Sequence, residues 1–442
     1  MPTRQRLSDQ FGSLGANSVH TLERLGIRGP ALLTLLGGAT GLVVGLGVLL
    51  FYRGIDLAAF LMGRLEGWIP LPTLLIATLA VAGGLVGAWA LAHWGTHDSP
   101  GENIPELMEV AQQRHGILHL GPVAIKTAAA ALTLGSGGSV GAEGPVAVLG
   151  AALGSRVGRL LRLPPERLHL LFACGTAAGL SAAFGAPIAG TIFVLEKLLG
   201  GFEGSALTPV VVSSVTAAAI TRIGLGSDQV IRIPAQYTSA GGWALVLYGL
   251  VGVGAGVAGW LYNRVAWRAG DWTAKWPRWA RVAFCAVAVA TLANAFDSSL
   301  WGRGHSTLDL GHLANISAEV LLALCLAKIV ATGLTLAGGG IGGVFTPALA
   351  VGGAFGAAAG TALALLFPGL HLAVVPFALV GMAGAVGAAT HAPLTAFFMV
   401  LEMSGDYGLV APLLLAGPIG YAVAKEFYSE SIYTEWIRRQ GR

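Results

Sequence analysis

A single carboxylate stands in the Gly-rich stretch GSGGSVGAEGP at residues 135–145. Glu143 is the only charged side chain between Thr127 and Ser155, and it precedes Pro145 by two positions. Proline fits the first turn of a helix, so Glu143 lies at a predicted helix N-terminus. The free N–H groups and the helix dipole attract anions there. A carboxylate there can occupy an anion site and leave it when it is protonated or displaced. The alternative is a simple helix cap, since acidic residues favour helix starts.

The same pattern recurs about two hundred residues later. Pro145 and Pro347 are each followed by glycines at the fifth, ninth and thirteenth positions, which are Gly150, Gly154, Gly158 and Gly352, Gly356, Gly360. Glycines spaced by four predict a face of small residues on which another helix packs closely. Each proline therefore predicts the start of a tightly packed helix that follows a Gly-rich break.

A second pair of segments extends the repeat. An Ala-Pro pair at Pro187 and another at Pro393 are each followed, nine residues later, by the glutamate of a Val-Leu-Glu sequence. The proline-to-proline separations are 42 residues in the first half and 46 in the second. Two matching spacings indicate a duplication, which in membrane proteins is typical of transporters and channels built from two halves around a central site.

Composition places these elements in a membrane. Of the 442 residues 55% are hydrophobic and 11% are charged, against about 25% charged in soluble domains. The mean hydropathy is +0.72. Long apolar windows predict a polytopic all-α membrane protein; they lie at 31–51, 70–94, 121–155, 169–195, 206–222, 241–262, 280–296 and 329–401.

The charged flanks indicate the topology. The first 28 residues carry four arginines and the C-terminus is also basic, so the positive-inside rule predicts that both ends are cytoplasmic and that the number of crossings is even. We expect an integral protein of the cell (inner) membrane, in contact with lipid. The net charge of +4 reflects these flanks, and we expect no nucleic-acid partner. Cys174, Cys285 and Cys325 lack metal-ligand spacing, so we expect no metal and no cofactor.

Two helix N-termini aimed at one point form an anion site without a fixed cationic side chain. Non-helical breaks at membrane depth are tolerated where they are buried in protein or line an aqueous cavity. An ionisable residue at that depth is a functional candidate, which favours Glu143 as a gate over Glu143 as a cap. A serine enzyme is disfavoured, because no spacing ties Ser136, Ser139 or Ser181 to His305 or His391.

Four motifs resemble those of the CLC family of chloride channels and chloride/proton exchangers. GAEGP at 141–145 resembles the G-x-E-G-P motif, GGVFTP at 342–347 the G-x-F-x-P motif, and GENIPE at 101–106 stands in the place of G-S-G-I-P. Tyr433 matches a tyrosine that faces the central anion site, and Lys126 lies seventeen residues before Glu143 as in the family.

The resemblance implies a CLC fold, with two inverted-topology repeats of broken, tilted helices, and a homodimer with one anion pathway per subunit. It implies transport of chloride or another small anion, with protons as a second substrate in the exchangers, and Glu143 as the external gate. The anion-binding positions that it implies are Gly101, Glu102, Ile104, Val344, Phe345 and Tyr433.

Two departures from the family pattern concern the mechanism. Lys197 occupies the position of the exchangers' internal proton glutamate. It is either a solvated helix end or, as a neutral amine, a proton carrier. Glu102 replaces the serine that donates to the anion, and Asn103 replaces a glycine. Since a carboxylate repels a nearby anion, Glu102 points away, is protonated, or changes the anion preference.

We predict three segments: a cytoplasmic N-terminal segment 1–29, a first membrane repeat 30–225, and a second repeat 226–442 with a C-terminal helix. The chain ends nine residues after Tyr433, so we expect no regulatory CBS domains. The protein is expected to be a transporter and not an enzyme. Lys197 favours channel-like or weakly proton-coupled transport, and coupled chloride/proton antiport is the alternative.

Overall fold

A computed structural model describes residues 29–68, 72–96, 104–201, 204–226, 231, 233, 243–296 and 309–439. These residues form α-helices joined by turns and by two short 3-10 helices, Pro368–Leu370 and Tyr407–Leu409, and an isolated antiparallel bridge pairs Gly141 with Gly343. In chain order the helices are α1 Pro30–Trp68, α2 Thr73–Thr96, α3 Ile104–Gln113, α4 Leu120–Gly135, α5 Glu143–Leu160, α6 Pro165–Phe184, α7 Pro187–Lys197, α8 Gly204–Leu225, α9 Ala244–Thr273, α10 Arg278–Ala295, α11 Leu310–Leu313, α12 Ala318–Ala337, α13 Phe345–Leu366, α14 Val374–Thr390, α15 Pro393–Ser404, α16 Val410–Phe427 and α17 Ile432–Arg439.

The expected all-α membrane architecture is confirmed. In the described part of the chain, 8 helical stretches are long and apolar enough to cross a membrane. Shorter apolar helices lie between them, at Leu120–Gly135, Val374–Thr390 and Pro393–Ser404. Helices of these lengths are too short to span about 30 Å of hydrocarbon upright. They are the broken helices that the Gly-Pro pattern predicts.

The Ala-Pro pairs mark two equivalent breaks. Gly185 caps the C-terminus of α6 and His391 that of α14, both with left-handed backbone, at φ 64° and φ 53°. The alanine that follows each has nearly the same conformation, with φ and ψ of −123° and 78° in one and −126° and 73° in the other. Proline then opens the next helix in both, since its fixed φ suits the first turn. The sequence repeat is thus a repeat of backbone shape.

The chain divides into two compact units that are each discontinuous in sequence. The first consists of residues 1–50, 99–127 and 146–227, and the second of residues 51–98, 128–145 and 228–442. The boundary between residues 225 and 226 that separates the two sequence repeats stays a prediction.

Within the first unit, the glycines of α5 lie against α6. A Cβ on Gly150 would meet the carbonyl oxygen of Gly175, and a Cβ on Gly154 would meet that of Leu171. The contact is reciprocal, because a Cβ on Gly175 would meet the carbonyl oxygen of Gly150. The small-residue face predicted for this helix is confirmed, and it brings two backbones into direct contact.

Within the second unit, α13 and α14 make the same crossing. Gly352 lies against the carbonyl oxygen of Gly381, Gly356 against that of Phe377, and Gly381 in turn against that of Gly352. The predicted face of Gly352, Gly356 and Gly360 is confirmed here too. Each crossing supports a helix whose first turn contains Pro145 or Pro347, and so helps to orient that helix.

Candidate functional site

The site is built where two Gly-rich loops meet inside the second unit. Gly141 donates its N–H to the carbonyl of Gly343 at 2.8 Å, and Gly343 donates back to Gly141 at 2.7 Å. This pair lies two residues before Glu143 on one loop and two residues before the N-terminus of α13 on the other. The short antiparallel bridge therefore holds the gate candidate beside the start of the second proline-started helix.

Two threonine hydroxyls support the loops in a symmetric way. The Ser139 N–H donates to Thr335 Oγ1 at 3.1 Å, and the Ile341 N–H donates to Thr133 Oγ1 at 3.1 Å. Ser139 and Ile341 are 202 positions apart, as are Thr133 and Thr335. Each repeat thus supplies the hydrogen-bond acceptor for the other repeat's loop, which a local sequence pattern cannot predict.

The Glu143 side chain is buried and fully engaged at the N-terminus of α13. Its Oε1 accepts the N–H groups of Phe345 and Thr346 at 2.5 and 3.2 Å. Its Oε2 accepts the Thr346 hydroxyl at 2.8 Å. Glu143 is 1% exposed, so these donors replace water around the carboxylate.

This arrangement is an anion site with a carboxylate in it. Helix α13 begins at Phe345 without a side-chain cap from its own preceding residue Val344. The carboxylate of Glu143 accepts from the free N–H groups of that helix. The sequence predicted Glu143 at the terminus opened by Pro145; the structure places its side chain on the terminus opened by Pro347.

Two buried tyrosines complete the surroundings. Tyr262, on α9, donates its hydroxyl to the Val344 carbonyl at 2.9 Å and so fixes the residue before α13. Tyr433, the second residue of α17, is 2% exposed, and its hydroxyl makes no hydrogen bond with any described residue. Both hydroxyls lie within electrostatic range of the Glu143 charge. A buried hydroxyl donor with no acceptor beside an anion site is suited to an anion ligand.

Two site residues were missed by sequence reasoning. Thr346 lies one position after Phe345. Its hydroxyl, in the first turn of a predicted helix, could have indicated a hydrogen-bond donor at the site. Tyr262 lies in an apolar stretch of α9 and gave no signal of its own, because its role depends on contact with Val344, 82 positions away.

Of the other predicted positions, several lie elsewhere. Ile104 opens α3 and is buried, in the first compact unit. Lys197 is the last residue of α7, half-buried, in that same unit. Gly101, Glu102 and Asn103 lie outside the described residues, as does His305. Among the residues that the structure describes, no three His, Cys, Asp or Glu side chains form a group that could hold a metal ion.

Comparisons with known proteins identify the family. Residues 83–425 match the family model described as voltage gated chloride channel. The chain is 35% identical over 365 residues to a ClcB-like chloride channel protein of Ralstonia nicotianae, covering 81% of this chain and 84% of that protein. It is 30% identical over 399 residues to the H(+)/Cl(-) exchange transporter ClcA of Cronobacter sakazakii, covering 87% and 85%.

The fold agrees with a solved member. The structure of a slow cyanobacterial Cl-/H+ antiporter is similar at a TM-score of 0.81 and 24% identity, covering 92% of this chain and 97% of that one. The expected fold, two inverted-topology repeats of broken, tilted helices, is confirmed. The chain belongs to the voltage-gated chloride channel family, also called the CLC family.

Proposed function

We propose that this protein carries chloride or another small anion across the membrane, along a pathway that the ionised Glu143 side chain closes. The observation that supports this most directly is the carboxylate on the N-terminus of α13, held by two backbone N–H groups and one hydroxyl. The names of relatives as a chloride channel protein and as exchange transporters support chloride as the anion.

The proposed gate works by competition between two anions for the same donors. Protonation removes the charge of Glu143, so its oxygens accept from the α13 N–H groups more weakly. A permeant anion then takes the donors of Phe345 and Thr346, and the side chain moves away. Because the anion is held by dipoles and not by a fixed cation, it can leave again. Acidification is therefore expected to raise anion flux.

The inner side of the pathway is proposed from the family positions. Tyr433 offers a buried hydroxyl that no described residue accepts, and we assign it to the central anion. Val344, whose carbonyl is held by Tyr262, and Ile104, at the start of α3, are assigned backbone roles by the resemblance. Gly101 and Glu102 are also proposed as anion-binding positions on the resemblance.

Two modes of transport remain candidates. Lys197, in the position of the internal proton glutamate, favours channel-like or weakly proton-coupled transport, because a fixed positive charge opposes proton entry. Coupled antiport is favoured by the name of the Cronobacter sakazakii relative, an H(+)/Cl(-) exchange transporter at 30% identity. We also propose a homodimer in the inner membrane with both termini cytoplasmic, on the resemblance and the charged flanks.

The test is anion flux from liposomes that contain the purified protein, with a potassium ionophore to balance charge. Wild type is expected to release chloride faster than empty vesicles, and faster still as pH falls. Glu143→Gln, which mimics the protonated acid and cannot titrate, is expected to give high flux with a flat pH profile. Glu319→Gln, an exposed carboxylate in the first turn of α12, is the matched control and should titrate like wild type.

Two outcomes would contradict the proposal. Chloride release equal to that of empty vesicles at every pH would exclude anion transport. A Glu143→Gln profile that overlays the wild-type profile would leave anion transport standing and reduce Glu143 to a cap for α13.

A further inference from the structure

Tyr433, whose hydroxyl is assigned to the central anion, lies on a helix too short to hold itself in place. Helix α17 has 8 residues, Ile432–Arg439, and isolated helices shorter than about 12 residues are marginal in water. Tyr433 is 2% exposed, and its hydroxyl makes no hydrogen bond with a described residue. The position of this hydroxyl therefore depends on the contacts that anchor α17 to the rest of the protein.

The start of α17 is closed by its own side chains. Ser431 donates its N–H to Thr434 Oγ1 at 2.9 Å, and Thr434 donates its N–H to Ser431 Oγ at 3.1 Å. This reciprocal pair is a capping box, with threonine in the usual place of glutamate. The Tyr433 N–H also donates to Ser431 Oγ, at 3.3 Å. These bonds order the first turn of the helix, but they are local and do not join it to another helix.

A buried carboxylate two residues after Tyr433 ties α17 to the residue that follows α16. The Glu435 side chain is 3% exposed, and both of its oxygens accept hydrogen bonds. Tyr428 donates its hydroxyl to Oε2 at 2.7 Å, Arg438 donates to both oxygens at 2.8 and 2.9 Å, and Arg439 donates to Oε1 at 2.6 Å. Arg438 also donates to the Tyr428 hydroxyl at 2.9 Å. Because hydrogen bonds between charged groups are stronger than neutral ones, Glu435 is the centre of the anchor.

The same network joins α17 to α9. Arg439 donates to Asp271 Oδ1 at 2.6 Å, and its guanidinium lies 4.7 Å from the centre of the Trp267 ring. Asp271 follows Tyr262 by nine residues, which is about 14 Å along a helix. Tyr262 in turn holds the Val344 carbonyl. Helix α9 thus contacts both elements of the site, the start of α13 through Tyr262 and the end of α17 through Asp271.

We infer that Glu435 is a positioning residue of the anion site, because it holds α17 where the Tyr433 hydroxyl meets the central anion. The inference rests on the proposed anion transport, and it concerns the affinity of the site and not its gate. Glu435 is no anion ligand itself, since a carboxylate repels chloride, and Arg438 and Arg439 neutralise its charge. Its effect on the anion is exerted through the position of Tyr433.

The test is the chloride affinity of the purified full-length protein, measured by isothermal titration calorimetry. Glu435→Gln and Arg439→Gln change the charge in opposite directions, but each breaks the anchor. Each is therefore expected to lower the affinity about ten-fold, as the loss of one hydrogen bond to a charged group does. An effect of charge alone would raise the affinity in Glu435→Gln and lower it in Arg439→Gln. Glu426→Gln on α16 and Arg222→Gln on α8, both exposed positions, are the matched controls and should bind chloride as wild type does.

A second set of variants shows whether the effect passes through Tyr433. Tyr433→Phe removes the hydroxyl and should itself lower the chloride affinity about ten-fold. Adding Glu435→Gln to Tyr433→Phe should lower the affinity no further, because no hydroxyl is left to position. Tyr428→Phe changes no charge, and it should lower the affinity when Tyr433 is present but not in the Tyr433→Phe background.

Three results would each overturn the inference: wild-type affinity in Glu435→Gln, opposite changes in Glu435→Gln and Arg439→Gln, or losses that add to that of Tyr433→Phe. All three leave the proposed function standing, whereas a wild-type protein that binds no chloride would contradict the proposed function and this inference together. Thermal unfolding in detergent identifies the variants that are folded. If a charge variant is not, Tyr428→Phe, the smallest change to the anchor, decides the question.

Discussion

At the scale of single residues, the Glu143 carboxylate is held by unequal donors. Two are backbone N–H groups, which a side-chain substitution leaves in place, and one is the hydroxyl of Thr346 at 2.8 Å. The hydroxyl is therefore a contact through which the strength of the closed state can be adjusted without altering Glu143 itself.

Thr346→Val is expected to weaken the hold on the ionised carboxylate while keeping the shape of the side chain. A hydrogen bond to a charged group contributes about 1.5–3 kcal/mol, so the ratio of closed to open gate should fall about ten-fold or more. Chloride flux from liposomes near neutral pH should rise, and its pH profile should shift toward higher pH. The measurement is flux as a function of pH.

The control for this variant lies on the same helix. Thr361, also on α13, has a buried hydroxyl that makes no hydrogen bond with a described residue. Thr361→Val should therefore leave the pH profile where it is in wild type. A Thr346→Val profile that coincides with those of wild type and Thr361→Val would contradict the role assigned to the hydroxyl.

At the scale of elements, the two glycine crossings orient the helices whose first turns contain Pro145 and Pro347. Gly175 and Gly381 each lie against the backbone of the crossing helix, at Gly150 and Gly352. The backbone contact leaves no room for a methyl group, so the close approach depends on the absence of a Cβ and not on glycine's φ.

Gly175→Ala and Gly381→Ala are each expected to force their helix pair apart and to destabilise the protein by about 1–3 kcal/mol, as overpacking does. Gly83→Ala, on α2, is the matched control, because a Cβ there meets nothing within 4 Å and alanine has the better helix propensity. Thermal unfolding in detergent should show lower midpoints for the two crossing variants and no loss for Gly83→Ala. Unchanged midpoints in all three would refute the packing argument.

At the scale of the whole molecule, coupling requires a proton route that is separate from the anion route. Lys197 ends α7, half-buried, with Glu196 beside it. A carboxylate accepts and releases a proton near neutral pH more readily than a lysine, whose ordinary pKa is far higher. On the resemblance to the exchangers, we propose that Lys197 leaves this position without the carboxylate that they carry.

We expect a chloride gradient to drive little or no uphill proton movement in wild type at clamped voltage. Lys197→Glu places a carboxylate at this position and is expected to increase proton movement per chloride. Lys275→Glu, an exposed lysine after α9, makes the same charge change elsewhere and should behave as wild type. The measurement is external pH recorded together with chloride flux.

Proton pumping by wild type at a fixed ratio to chloride would contradict weak coupling and establish the second candidate, coupled antiport. Glu102→Ala would then test whether that carboxylate carries the proton. Both results are compatible with the same gate at Glu143.

The sequence by itself determined the features that depend on near neighbours along the chain. Proline and glycine act through local sterics, so Pro145 and Pro347 predicted helix starts, and glycines spaced by four predicted packing faces, all of which are present. Hydropathy predicted the membrane helices for the same reason, since each segment must match the bilayer on its own. The motifs also brought Glu143 and Phe345 into one candidate site.

Only the tertiary structure decided which groups meet across long separations. Glu143 reaches the N-terminus of α13, 202 positions away from it at Phe345, because the Gly141–Gly343 bridge joins the two loops. Tyr262 was not predicted for the same reason, because it contacts Val344, 82 positions away. The local sequence pattern predicts where a helix begins. A hydrogen-bond partner in the other repeat depends on how the helices pack, and the spacing of residues along the chain does not predict that packing.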